Sequence, residues 1–289
     1  MNHGRPWFRM ASLAVGFAFL YIPIASLIVY SFNKSKLVTV WGGFSTRWYG
    51  ALLHNTQILD AAWLSLRVAT ISATLAVVLG TLGGLVLARF GPFRGRTLLS
   101  GLTTAPLVMP EVITGLSLLL MFVTMEQLIG WPAGRGMTTI IIAHVTLTMA
   151  YVTVIVQSRL TQMDESLEEA AMDLGARPAK VFFLITLPII FPALLSGWLL
   201  AFTLSLDDLV IASFVAGPGS STLPMVIFSK VRLGVSPDVN ALATILVTVV
   251  AIGVTVAGIA MTRQQKTRER DAQMALAANQ QMIESLKKG

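Results

Sequence analysis

Uncharged apolar runs divide this chain at intervals that match a lipid bilayer. Residues 10–33, 68–88, 137–158 and 239–262 carry no charged side chain over 24, 21, 22 and 24 positions. Each exceeds the roughly 20 residues that a helix needs to cross a ~30 Å hydrocarbon core. Two more runs are apolar apart from embedded acids: 97–125 holds Glu111, and 189–215 holds Asp207 and Asp208. The pattern predicts an all-α integral membrane protein with six spans, because a lipid-exposed segment must satisfy its backbone polar groups internally. The first run is too long for the apolar core of a cleavable signal and ends in no clean small-x-small site, so it reads as a retained span.

Composition agrees. The 289 residues are 55% hydrophobic and 12% charged, half the ~25% charge of an ordinary soluble domain. With no cysteine in the chain, disulfides, thiolate catalysis and cysteine-based metal sites are excluded. The three histidines, His3, His54 and His144, lie far apart with no ligand spacing. No metal is therefore expected.

The net charge of +7 invites a nucleic-acid reading until its distribution is seen. With the N-terminus inside, the inner segments hold fourteen Lys and Arg and the outer loops six, while Arg67 falls at an outer boundary. That asymmetry predicts both termini in the cytosol. Trp41, Trp48, Tyr49 and Trp63 bracket the first outer loop and Trp131 sits in the second, as expected for rings at headgroup depth. Residues 45–66 are expected to be part helix, lying along the outer surface. The charged tail 263–289 is expected in the cytosol.

Ala76, Gly80, Gly84 and Ala88 recur every four residues in the second span. They leave one face nearly bare for close approach of another helix. Gly253 and Ala257 suggest a second such seam.

The longest inner loop, 159–188, has its own grammar. Ser166-Leu167-Glu168-Glu169 reads as a capping box. Leu167, Ala170, Ala171 and Leu174 share one helical face. Gly175 suits a left-handed helix end, and Pro178 the first turn of a second helix. Such a helix is too short to be stable alone in water and calls for a partner surface. By composition alone it could equally be a hairpin that merely links two spans.

The full spacing is more specific. Glu169-Ala170-Ala171, three residues, Gly175, nine residues, then Ile185-Thr186-Leu187-Pro188 resembles the cytoplasmic loop signature of ABC importer permeases at every element. The resemblance covers essentially the whole chain. It implies a six-helix type I importer bundle like the methionine importer's permease core, whose loop is a coupling helix seated on a separate ATPase. Glu169, Ala170, Ala171, Leu174 and Gly175 would form that docking element. The runs Gly197–Val215, Asn240–Thr244 and Ser31-Phe32-Asn33 are similar to the second permease subunit of bacterial polyamine importers. Ala105–Gly115 leans toward the putrescine type, with Glu111 where Asp is common. The implied partners are an ATPase dimer, a second permease subunit, a periplasmic polyamine-binding protein and the lipid bilayer. ATP and magnesium would sit on the ATPase, with no cofactor on this chain. The implied role is a non-catalytic inner-membrane subunit that imports putrescine, with spermidine or another polyamine as the alternative.

Acids within spans are costly and usually face a cavity or a partner. Glu111 lies about 14 residues, or ~21 Å, along its run, and Asp207 about 19 residues, or ~28 Å, past Pro188 if both helices are straight. Both depths fall in the outer half, suited to a cation handed over from outside. A diamine needs carboxylates for its ammonium ends and apolar or aromatic walls for its methylenes. Glu111, Asp207 and Asp208 are the candidates for the first task and Trp48 for the second, with Ser205 placed on the same pathway. Neighbouring Asp207 and Asp208 point about 100° apart on a helix. Both can face one pore only if the helix breaks there. Alternatively, one of them pairs with Arg67 or caps a broken end. His144 and Tyr151 share a face of the fourth span and read as packing residues.

Three rival functions remain. An ion-coupled transporter of an organic cation accounts for the acids but predicts internal repeats and leaves the docking helix unexplained. An intramembrane aspartyl protease needs two acids sharing a proton, and adjacent residues on one helix make a poor dyad. A scaffold leaves the acids idle. No G-x-x-x-x-G-K-[ST] sequence is present, so this chain lacks the usual phosphate loop of an ATPase.

Overall fold

The computed structural model describes residues 6–37, 40–233 and 237–253, together with Thr255, Ile259 and Thr262. The tail 263–289 and Ala257 of the proposed second seam lie outside the described residues. Two compact units are present: one contains the chain up to His54 and from Val235 onward, the other Asn55–Gly234. Among the described residues the fold is helical, with one isolated bridge between Asn33 and Phe44.

In the first unit, α1 (Pro6–Ser31) is 26 residues long and displays its apolar side chains outward, Phe19 being 80% exposed. Such a surface is stable only against lipid or another protein. The loop after it is organised by Asn33. Its amide donates to the carbonyls of Leu37 and Val40 and accepts from the amides of Ser35 and Gly42, while its own carbonyl receives the indole N–H of Trp48 at 2.7 Å. Trp48 belongs to α2 (Arg47–Leu53). The last described helix of this unit, α12, runs Pro237–Gly253.

The second unit is built on α3 (Thr56–Arg89), a single helix of 34 residues. It spans ~51 Å at 1.5 Å per residue, so the part-helical outer segment expected to end near Leu66 is continuous with the second span from Thr56 onward. Asn55 caps it by accepting the Ile58 amide at 3.2 Å. The predicted glycine seam meets α6 (Met137–Thr161). A β-carbon added at Gly80 would sit 2.8 Å from Val152, and one at Gly84 2.9 Å from Val156. Against this pair lies α9 (Leu187–Asp207), and Ala73, Ala76, Val152, Val156, Ile190, Leu194 and Ala201 form one core.

The third apolar run is not one helix. It divides into α4 (Arg96–Val108) and α5 (Glu111–Ile129). Pro110 disfavours the helical region for the residue before it, and Met109 is extended at φ −74°, ψ 136°. The fifth run breaks as well, between α9 and the six-residue α10 (Val210–Val215), and α11 (Leu223–Leu233) follows. Its other end starts earlier than Ile189: α8 (Pro178–Val181) passes through a π turn at Phe182–Thr186 directly into α9. A second core joins Val68, Leu118, Phe122, Ile140, Ala143, Leu147, Ile211, Ala212 and Val215, and so fastens α10 to α3, α5 and α6.

Candidate functional site

The inner loop folds as the helix its spacing foretold, with a different start. In α7 (Ser166–Asp173), Ser166 is already the first helical residue, and Glu165 before it has helical dihedrals. The capping box therefore does not form. Asp164 does that work instead: its Oδ1 accepts the Ser166 amide at 3.0 Å. Hydrogen bonds from the Ser166 amide and hydroxyl hold the Asp164 carboxyl below its ordinary range.

The C-terminal end matches the sequence reading. Gly175 is left-handed at φ +85°. Its amide bonds the Met172 carbonyl at 2.8 Å, and the Ala176 amide reaches back to Ala171 at 3.1 Å. This is the six-to-one, five-to-two closure of a Schellman motif.

Two things make α7 look like a docking element held from behind. Its apolar face is open: Leu167 is 50% and Leu174 90% exposed, and Ala170 is exposed beside them. Glu169 is exposed too, and Ala171 half-buried. Its other side is tied down. Arg89, the last residue of α3, donates from Nε to Glu168 at 2.8 Å and from Nη1 to Glu165 at 2.9 Å. The second oxygen of Glu168 accepts the Thr186 hydroxyl. Beside these groups lies a cavity of about 280 Å³, with Phe90, Met172 and Phe182 in its wall. Arg89 Nη2 is buried without a hydrogen-bond partner.

The membrane acids fall into two kinds. Asp208 is buried at the break after α9, where its backbone leaves the helix at ψ 124°. Its Oδ1 and Oδ2 accept the amides of Ile211 and Ala212 at 3.2 and 2.7 Å, which caps α10. Oδ2 also lies 3.1 Å from His144 Nε2, and His144 Nδ1 lies 2.6 Å from Ser205 Oγ. Because Oδ2 already accepts the Ala212 amide, Nε2–H is the donor toward it, while the direction of the Nδ1–Ser205 bond follows the protonation of the ring. Ser, His and Asp in this order resemble a hydrolytic triad. Yet the three are 5%, 1% and 9% exposed, so they are closed to solvent in this structure, and their bonds are spent on each other and on a helix end.

Asp207 and Glu111 differ. Asp207 ends α9 and is exposed on this chain, as is Glu111, the first residue of α5. A carboxylate at a helix N-terminus is favoured by the peptide dipoles. One turn after Glu111, Gly115 abuts α10: an added β-carbon would lie 2.7 Å from the Phe214 ring and 3.4 Å from Ile211 Cα. The two broken helices thus meet near their breaks. The straight-helix depth expected for Glu111 does not apply, because the chain breaks at Met109 before reaching it; for Asp207 the break comes only afterwards, and α9 is continuous from Leu187 to Asp207. Among the described residues no ion pair joins Arg67 to either aspartate; its guanidinium sits 4.8 Å from the Trp63 ring. Trp48 has its N–H bound to Asn33 and one face covered by Arg47 at 4.2 Å.

His144 was missed as a functional partner because its signal is spatial. It stands 61 and 64 residues from Ser205 and Asp208. The only local hint was an imidazole in an otherwise chargeless span.

A bundle of broken apolar helices with an exposed, braced loop helix is the architecture of a membrane transport subunit. The chain belongs to the family of binding-protein-dependent transport system inner membrane components, which residues 80–270 match. It is a transport subunit of the ABC importer permease fold, and not an enzyme. It is 60% identical over 270 residues to the putrescine transport system permease protein PotI of Escherichia coli (strain K12), covering 93% of this chain and 96% of that protein. It is 43% identical over 230 residues to the spermidine/putrescine transport system permease protein PotC of the same strain, covering 80% and 84%. Among solved structures, a bacterial ABC transporter that imports the acidic polysaccharide alginate superposes with a TM-score of 0.68 at 15% identity, over 90% of this chain and 98% of that one. The methionine ABC transporter MetNI in inward-facing form gives 0.57 at 17% identity, over 71% and 94%. Those two show the fold alone.

Proposed function

We propose that this chain is the permease subunit of an ATP-driven importer that carries putrescine across the bacterial inner membrane. The observation that carries the reading is the state of α7: its apolar face is exposed while its acidic face is clamped to α3 and the root of α9. A lone linker has no use for such an arrangement. A helix that must pass force from an ATPase to the spans requires it. The substrate rests on the 60% identity to a putrescine permease. Spermidine is the runner-up, favoured by the 43% identity to a permease whose name includes it.

The working assembly pairs this chain with a second homologous permease, two ATPase subunits that hold ATP and magnesium, and a periplasmic polyamine-binding protein. Both termini lie in the cytosol. Within the pathway, Glu111 and Asp207 offer carboxylates to the ammonium ends, and Trp48 is the aromatic candidate for contact with the methylenes. Ser205 and Asp208 shape the break that presents Asp207. Tracer uptake of putrescine and of spermidine, in cells lacking this gene and then regaining it, tests the substrate. Restored putrescine uptake supports the reading, and restored uptake of neither polyamine defeats it. Neutralising Glu111 or Asp207 should lower uptake roughly tenfold or more, the weight of a charge-assisted hydrogen bond of about 1.5–3 kcal/mol, with the complex intact.

A further inference from the structure

Glu168 occupies a position that the docking signature does not explain. It faces away from the open face of α7, and its side chain is only 13% exposed. Its two oxygens serve different elements: Oε2 takes the Arg89 Nε–H at the end of α3, and Oε1 takes the hydroxyl of Thr186 at the end of the π turn. Thr186 is 2% and the Arg89 side chain 11% exposed. Arg89 Nη1 adds Glu165, one turn before Glu168. Three elements distant in sequence therefore converge on one carboxylate.

The joint sits between the short α7 and two long helices, α3 and α9. α3 packs along α6 through its glycine seam, and α9 is a 21-residue rod ~31 Å long. At the far end of that rod lie Asp207 and the Asp208–His144 break. A π turn has slack that a plain α-helix lacks and is often found at functional sites. A buried carboxylate whose both oxygens are bound resists separation from its partners, because an uncompensated charge would be left behind.

We infer that Glu168 and Arg89 are positioning residues that fuse the coupling helix to α3 and to the π turn, so that displacement of α7 moves α3 and α9 together. The inference rests on the importer reading above and assigns the element through which its force enters the membrane. Glu169, Ala170 and Ala171 meet the ATPase, and Glu168 passes the load.

The test uses the whole reconstituted importer, with both permeases, the ATPase and the binding protein. Glu168→Ala, Arg89→Ala, Arg89→Lys and Thr186→Val are compared for polyamine transport, ATP hydrolysis and subunit stoichiometry. Glu168→Ala and Arg89→Ala should raise the ATP consumed per molecule transported by roughly 2- to 30-fold, the range of measured coupling effects, with Arg89→Lys in between. Transport and hydrolysis falling in the same proportion would overturn the joint and leave only a stabilising role. If Glu168→Ala does not assemble, Thr186→Val carries the test through the same ratio. A second readout needs no substrate. On trapping the ATPase with a nucleotide analogue, amide exchange should change in both 166–173 and 182–186 in the wild type, but only in 166–173 in Glu168→Ala or Thr186→Val. Unaltered linkage of the two segments in the variants would overturn the joint. A wild-type complex that moves no polyamine, yet shows the linked exchange, would sink the substrate reading alone.

Discussion

The Nε2 of His144 lies 3.1 Å from Asp208 Oδ2, which joins the first third of α6 to the break between α9 and α10. Removing either partner strands a buried polar group. Asp208→Ala or His144→Ala should therefore lower stability by about 1–3 kcal/mol, read as a lower melting temperature of the purified permease. Asp207→Asn, at the exposed neighbour, should leave melting unchanged while reducing uptake. Equal melting shifts at 207 and 208 would contradict the division of labour.

The α3–α6 contact is set by absent side chains. Alanine at Gly80 would place its β-carbon 2.8 Å from Val152, closer than packing allows. Gly80→Leu should destabilise by about 1–3 kcal/mol or more, seen as poor recovery of folded complex. Gly16→Ala, with nothing within 4 Å, should be silent by the same assay.

At Gly175 the obstacle is backbone conformation. Open space surrounds the position, but φ is +85°. A β-branched residue in that region costs about 1–2 kcal/mol, while asparagine is tolerated there. Uptake should fall in the order Gly, Asn, Asp, Val, with membrane insertion equal in all four. Full transport by Gly175→Val would show that the helix end need not be left-handed.

Asp164 supplies a pH argument with a clear sign. Its carboxyl is held below the ordinary value of 3.8 by the bonds it accepts from Ser166. A depressed folded-state pKa gives stability that is present above the unfolded value and lost as pH falls through the folded one. α7 should therefore keep its start throughout the neutral and mildly acidic range and fray only at strongly acidic pH. Amide exchange at 166–169 measures this directly. Asp164→Ala should speed exchange at neutral pH, and Asp164→Asn, still an acceptor, should not.

Legibility in the sequence followed the range of the forces involved. The seam of Ala76, Gly80 and Gly84, the left-handed Gly175 and the helix start at Pro178 are local or periodic, and the chain stated them outright. The break at Met109 was also local, since Pro110 follows it, yet hydrophobicity counts cannot see a kink and merged α4 with α5. The start of α7 was read from Ser166 because a capping box is a common pattern; Asp164, two residues earlier, forms the bond instead. That one of the paired aspartates caps a broken helix end was legible, and Asp208 does so through amides three and four residues on. The bond of Asp208 to His144 and the roles of Ser205 and Glu168 were hidden, since each is decided by a partner more than a dozen residues away: His144 for Asp208 and Ser205, and Arg89 and Thr186 for Glu168.

Because the chain has no cysteine, one can be placed on α7 without background. The most direct measurement is oxidative cross-linking of Ala170→Cys to a cysteine series on the ATPase, in the assembled importer, with and without nucleotide. A nucleotide-sensitive cross-link from position 170, absent from a control cysteine at Gly16, is the predicted result. An importer that transports polyamine while position 170 cross-links to no ATPase residue in any nucleotide state would contradict the account.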